Sequence, residues 1–133
     1  ATVIAAGVTL HEALAAHEEL ARDGVPVRVI DLYSIKPIDA QTLMDAAVET
    51  KFLVTVEDHY AEGGLGEAVL GALSGASVPA SCLAVRKRPR SGKPAELLDD
   101  CGISARAIVA EVRRLLDADA IVAEARATAE PPR

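Results

Sequence analysis

The feature that most constrains this chain is an alternation. Short apolar runs rich in β-branched residues recur at 2–6 (TVIAA), 26–32 (PVRVIDL), 52–57 (FLVTVE) and 81–86 (SCLAVR), and stretches with helical periodicity separate them. Runs that are apolar nearly throughout, rather than every second residue, mark strands covered on both faces. Strands joined by helices build a parallel sheet, and right-handed crossovers leave few topologies. The expectation is an α/β fold, a three-layer αβα Rossmann-like domain with a mostly parallel sheet. In the commonest doubly wound order the first strand lies between the second and the third. A switch-point crevice then opens at the C-terminal ends of strands 2–6 and 52–57, flanked by Gly7 to Glu12 and by Asp58 to Gly66.

The helices carry their own punctuation. Thr9 and Glu12 have the spacing of a capping box, with Leu10, Ala13, Leu14, His17, Leu20 and Ala21 on one face and Gly24 placed to close the helix. Asp39 suits an N-cap, with Ile38 able to staple against Leu43. Leu65, Ala68, Val69, Ala72 and Leu73 stay in phase after the glycine-rich turn 63–66. A short helix is expected over 94–100, ended by Gly102. A longer one begins at Ser104, with Ala105, Ile108, Val109, Val112, Leu115 and Leu116 inward. Beyond Asp117 the pattern loses phase at Ile121 and Val122. The expected division is therefore a domain over 1–116 and an Ala-rich tail over 117–133, helical or disordered.

Composition excludes several classes of function. The apolar half is mostly small, 26 Ala, 14 Val, 14 Leu and 7 Ile, with one Phe, two Tyr and no Trp. Platforms for stacking nucleobases are lacking. A net charge of −6 disfavours general attraction to nucleic acid or to an anionic membrane face. Cys82 and Cys101 have no CxxC partner, so free thiols in a reducing cytoplasm are expected. No apolar stretch reaches the ~20 residues of a membrane span, and the N-terminus lacks the basic region of a signal peptide.

Two segments carry chemistry. Residues 57–64 (EDHYAEGG) gather three carboxylates, an imidazole and a phenol just after a strand. Asp58, His59, Gly63, Gly64 and Gly66 are the candidate switch-point loop, with the glycines needed for close backbone approach. The plainer reading of the same residues is structural, with Glu57 and Asp58 capping the strand end and His59 packed against the neighbouring loop. Gly64-Leu65-Gly66 begins a dinucleotide fingerprint but fails it at Val69. The loop 86–93 (RKRPRSGK) holds five positive charges, leaving 9 basic against 20 acidic residues elsewhere. Arg88, Arg90, Ser91 and Lys93 are candidates for holding an anion at the start of helix 94–100; pairing with Glu96, Asp99 or Asp100 is the alternative. Gly92-Lys93 lacks the Ser or Thr of a P-loop. His17 sits on an apolar stripe as a satisfied, half-buried histidine would, and no pair of histidines has metal-ligand spacing.

Residues 2–12 (TVIAAGVTLHE), 29–39 (VIDLYSIKPID), 55–66 (TVEDHYAEGGLG) and 88–98 (RPRSGKPAELL), in that order, resemble the C-terminal domain of transketolase. The resemblance runs from about residue 2 to Leu116. It implies a domain of a homodimeric, thiamine diphosphate- and Mg²⁺-dependent enzyme of the pentose phosphate pathway, which moves two-carbon ketol units between sugar phosphates. It also implies that other domains hold the cofactor and metal, so no catalytic, cofactor or metal residue carries over to this chain. Expected partners are other transketolase domains or subunits, in the cytoplasm. The family's domain begins with an antiparallel edge strand upstream of the segment matching residues 2–6, so strand 26–32 is expected to expose an edge. The alternative is a free-standing Rossmann-like module that binds a phosphorylated ligand or docks a partner protein.

Overall fold

The structure, a computed structural model, describes residues 1–129. In chain order its elements are β1 (Thr2–Ala5), α1 (Val8–Arg22), β2 (Arg28–Asp31), α2 (Ala40–Glu49), β3 (Leu53–Tyr60), α3 (Leu65–Ala72), β4 (Ala80–Val85), α4 (Pro94–Asp100) and α5 (Ala105–Ala129). The sheet order is β2-β1-β3-β4 and every pairing is parallel, with Ile4 opposite Ile30 on one side and Thr55 on the other. The expected topology and switch point are both present. β2 and β4 are the edges.

Successive residues of a strand face opposite sides, so the sheet divides the core in two. Val3, Ala5, Val54 and Val56 meet Ala13, Ala16 and Leu20 of α1 and Ile108, Val109 and Val112 of α5. Ile4, Leu53 and Leu32 meet Leu43 and Ala46 of α2 and Leu65 and Val69 of α3. The abundance of alanine has its explanation here. Ala5, Ala13, Ala16 and Ala46 are fully buried, and small side chains let helices lie close to a β-branched sheet. Cys82 faces α3 while Cys101 packs in the cluster on the other side, so the sheet separates the two free thiols.

Most local signals hold. Asp39 caps α2, its carboxylate accepting from the Thr42 amide at 3.0 Å, and Ile38 packs into the cluster of Leu43. Gly24, at φ +76°, closes α1 in a Schellman motif, with Val25 N donating to Leu20 O and Gly24 N to Ala21 O. His17 is half-buried and donates from Nδ1 to the Val27 carbonyl at 2.8 Å, tying α1 to the chain entering β2.

The capping box does not form. Gly7, at φ +61°, is the N-cap of α1, and the turn is so tight that Thr9 is buried. Its hydroxyl lies 2.9 Å from both the Ala6 and the Val56 carbonyls, which fastens α1 to β3. Glu12 instead reaches across to α5, its carboxylate accepting from the Ala105 amide at 2.7 Å. Leu14, expected inward, is 44% exposed. α5 continues unbroken to Ala129, and the off-phase Ile121 and Val122 are exposed as the pattern implied. Residues 130–133 of the expected tail lie outside the described residues.

Glu12 thus caps a helix that begins 93 residues further on. Replacing an N-terminal capping acceptor typically costs about 1 kcal/mol. Glu12→Ala should lower stability by about that amount in urea unfolding, and an unchanged midpoint would show that the Ala105 amide has another acceptor.

Candidate functional site

β1 and β3 end side by side at the switch point, and the crevice there is lined by Ala6, Leu32, Tyr33, Ile35, residues 57–59 and residues 63–65, with a volume of about 310 Å³. The strand-helix alternation brings these residues together. β3 extends three residues past the expected end, through Asp58 and His59 to Tyr60, and after a register shift pairs Tyr60 with Val85. Asp58, His59, Gly63 and Gly64 line the crevice; Gly66, the second residue of α3, does not.

The centre of this geometry is Glu57, only 4% exposed. Its position on β3 puts it on the α3 side of the sheet, two residues beyond Thr55. One carboxylate oxygen accepts from Leu65 N at 2.6 Å and the other from Gly66 N at 2.9 Å. These are first-turn amides of α3, which no helical carbonyl can reach. The positive end of the helix dipole adds to the attraction of these two hydrogen bonds. At a switch point these amides are the usual seat of a ligand phosphate. Here the protein's own carboxylate fills that seat.

The glycines follow from this contact. A Cβ at Gly64 would lie 1.9 Å from Glu57 Oε2, and one at Gly66 would lie 3.1 Å from Cys82 Sγ, Glu57 Oε1 and Thr55 Oγ1. Gly64 has an ordinary φ of −93°, so proximity rather than backbone conformation demands glycine there. Gly63, at φ +73°, is the conformational glycine, and its amide donates to Glu67 at 2.8 Å. Thr55 is fully buried, and its hydroxyl has no hydrogen-bond partner among the described residues. Sequence reasoning missed Thr55, and it missed Tyr33 and Ile35 as crevice residues. A polar residue in the middle of an otherwise apolar strand was the available signal for the first.

The basic loop stands apart, at the end of β4. Lys87 and Arg90 both pair with Asp100, at 2.9 and 3.2 Å, and Arg86 donates to the Cys82 carbonyl at 3.0 Å. Arg88 and Lys93 have no ion pair among the described residues, and Ser91 and Lys93 are exposed at the entry to α4. The loop therefore spends part of its charge on its own helix.

Thiamine diphosphate and Mg²⁺, which the resemblance assigns to other domains, do not fit the residues present at the crevice. A diphosphate there would face the Glu57 carboxylate instead of free amides. Among the described residues, no group of three or more His, Cys, Asp or Glu converges in a way that could hold a metal ion. No described helix is long and apolar enough to cross a membrane.

The geometry defines a doubly wound αβα domain whose switch-point anion seat is internally occupied. The family model described as "Transketolase, C-terminal domain" matches residues 1–108, and the chain belongs to that family. It is 58% identical over 114 residues to transketolase-like protein 2 of Mus musculus, covering 84% of this chain and 18% of that protein. With the transketolase of Homo sapiens it shares 53% over 117 residues, 86% of this chain and 19% of that protein. Among solved structures, a split gene transketolase in an inactive beta4 tetramer superposes with a TM-score of 0.80 at 37% identity, covering 85% of this chain and 38% of that one. The chain thus spans about a fifth of the length of the curated relatives it matches.

Two experiments test the site. Gly64→Ala forces a methyl group into the Glu57 carboxylate and should cost about 1–3 kcal/mol, the range of core overpacking. Thr55→Val keeps the shape and removes an unpaired hydroxyl, so its melting temperature should stay level or rise. The reverse order of these two variants would contradict the packing described.

Acid sensitivity has a separate origin. Arg106, and then Ser104, hold the Asp99 carboxyl below its ordinary range; Lys87 does so for Asp100, the Thr42 amide for Asp39, and Arg114 followed by Ser81 for Glu111. Each folded-state value lies below the unfolded one. Their stabilisation is complete above the ordinary carboxylate range, near about pH 4, and is lost as pH falls through the lowered values. Melting temperature should therefore fall on acidification below about pH 4, and Asp99→Asn should make that fall shallower.

Proposed function

We propose that this chain serves as the non-catalytic C-terminal domain of a thiamine diphosphate-dependent transketolase. Such an enzyme transfers a two-carbon ketol group between sugar phosphates in the pentose phosphate pathway. The domain's role is structural: it supports assembly with the other domains or subunits of a cytoplasmic, homodimeric enzyme that supply the cofactor and metal sites. The observation that carries this reading is the Glu57 carboxylate on the α3 amides. A domain whose ligand seat is closed by its own side chain is suited to holding other parts in place. Family membership supplies the identity of those parts. The split gene transketolase that shares this domain is described as an inactive beta4 tetramer, which accords with a domain that brings assembly without turnover. The same carboxylate speaks against the free-standing phosphate-binding module.

Isothermal titration of the chain with thiamine diphosphate and Mg²⁺ should give no binding heat. An assay with a ketose phosphate donor and an aldose phosphate acceptor should show no turnover. Micromolar cofactor binding to the isolated chain would overturn the proposal.

A further inference from the structure

The basic loop after β4 is the sequence feature that the structural role proposed above leaves unused. Residues 86–96 are all exposed, the longest such run among the described residues, and 86–93 belong to no helix or strand. In the middle of the run stands Ser91, whose hydroxyl is exposed and has no hydrogen-bond partner among the described residues. The other serines differ. Ser34, Ser81 and Ser104 donate to the Pro37 carbonyl, to Glu111 and to Asp99, at 2.7, 2.5 and 2.8 Å. Ser74 and Ser77 are exposed, but no Lys or Arg lies within five residues of either. Ser91 has Arg86, Lys87, Arg88 and Arg90 in the five residues before it and Lys93 two residues after it.

The fold presents this hydroxyl on a chain that is anchored at one end and extended beyond. Arg86 donates to the Cys82 carbonyl and Lys87 pairs with Asp100, which pins the start of the loop. Arg88 and Lys93 each precede a proline, which disfavours helical geometry and keeps the backbone extended on both sides of Ser91. Lys93 accordingly has φ −71° and ψ 146°. Arg88, three residues before the hydroxyl, has no ion pair among the described residues. Arg90 meets Asp100 at 3.2 Å while itself 69% exposed, a contact that is weak in water.

We infer that Ser91 is a phosphorylation site for a protein kinase that selects arginine before its acceptor. Such a kinase takes its substrate as an extended segment and reads the flanking charge against acidic groups of its own. The Ser91 Oγ attacks the γ-phosphorus of a magnesium-bound nucleoside triphosphate. The Oγ–P bond forms as the bond from that phosphorus to the β,γ-bridging oxygen breaks. The hydroxyl proton passes to the kinase's catalytic carboxylate, and the nucleoside diphosphate leaves. The product places a group of about −1.5 to −2 charge among Arg88, Arg90 and Lys93, where it competes with Asp100 for Arg90. Nothing in this depends on the function proposed above.

The test incubates the chain and Mg·ATP with two arginine-directed serine kinases in turn, cyclic-AMP-dependent protein kinase and protein kinase B, and places the phosphate by mass spectrometry. Transfer to Ser91 is expected, with Ser74 and Ser77 unlabelled. Ser91→Ala should abolish the label, and Arg88→Ala should lower kcat/KM at least about tenfold, the worth of one hydrogen bond between charged groups. Circular dichroism of both variants verifies that they fold. The same label is expected when the chain replaces the 117-residue segment that it matches, at 55% identity, in the transketolase of Mus musculus. No label from either kinase, label at another serine in place of Ser91, or a rate indifferent to Arg88→Ala overturns the site. So does label that appears only after urea has unfolded the chain, or that is lost in the joined protein, because the hydroxyl is then out of a kinase's reach.

Discussion

The buried carboxylate of Glu57 is the contact on which the switch point depends. It sits within the sheet's longest strand and caps the start of the helix on the adjacent layer, so strand and helix are locked by two short charge-assisted bonds. Isolating a charge in the interior is costly unless hydrogen bonds surround it. Here the amides are obligatory donors that would otherwise be orphaned, so carboxylate and helix end each remove the other's penalty. The requirement for glycine at 64 and 66 follows at once, because the bonds are short only if no side chain intervenes.

The same device appears a second time on the other side of the sheet. Glu12 of α1 caps α5 through the Ala105 amide, and Asp99 of α4 accepts from Ser104 and Arg106 at the same junction. Helix ends here are satisfied by distant carboxylates, so secondary and tertiary structure are stabilised by the same bonds. Hydrophobic contact positions the layers broadly; these polar contacts fix where each helix begins. The exposed ion pairs, such as Lys51 with Asp119 on the outer half of α5, contribute little by comparison.

This division explains what could be read from the sequence. Periodicity and turn chemistry are local, so the four strands, their order, the Asp39 cap and the Gly24 closure were legible. Glu12 was misread because Thr9-x-x-Glu12 satisfies a local rule while both side chains answer to distant partners, Val56 and Ala105. Gly64 was legible as necessary, but not for the right reason: its φ is ordinary and the demand comes from a side chain seven residues back, brought close only by the fold. For the crevice, the acidic loop after β3 was visible, whereas Tyr33 and Ile35 looked like turn residues. Nothing local says that a tyrosine after a strand will be left in solvent. The continuation of α5 past Leu116 was likewise open, since alanine favours helix without an apolar stripe to demand it.

A doubly wound sheet inherits a ligand site from its topology, because the reversal of strand order leaves a gap between the helices at one end. A protein that does not use the gap must still satisfy the exposed amides beside it. Water can do so, but water leaves the helix end soft and the gap open to anions. A carboxylate from the neighbouring strand satisfies the amides and repels anions, and it stiffens the loops that flank the gap. What elsewhere receives a cofactor's phosphate is here closed by the chain's own carboxylate.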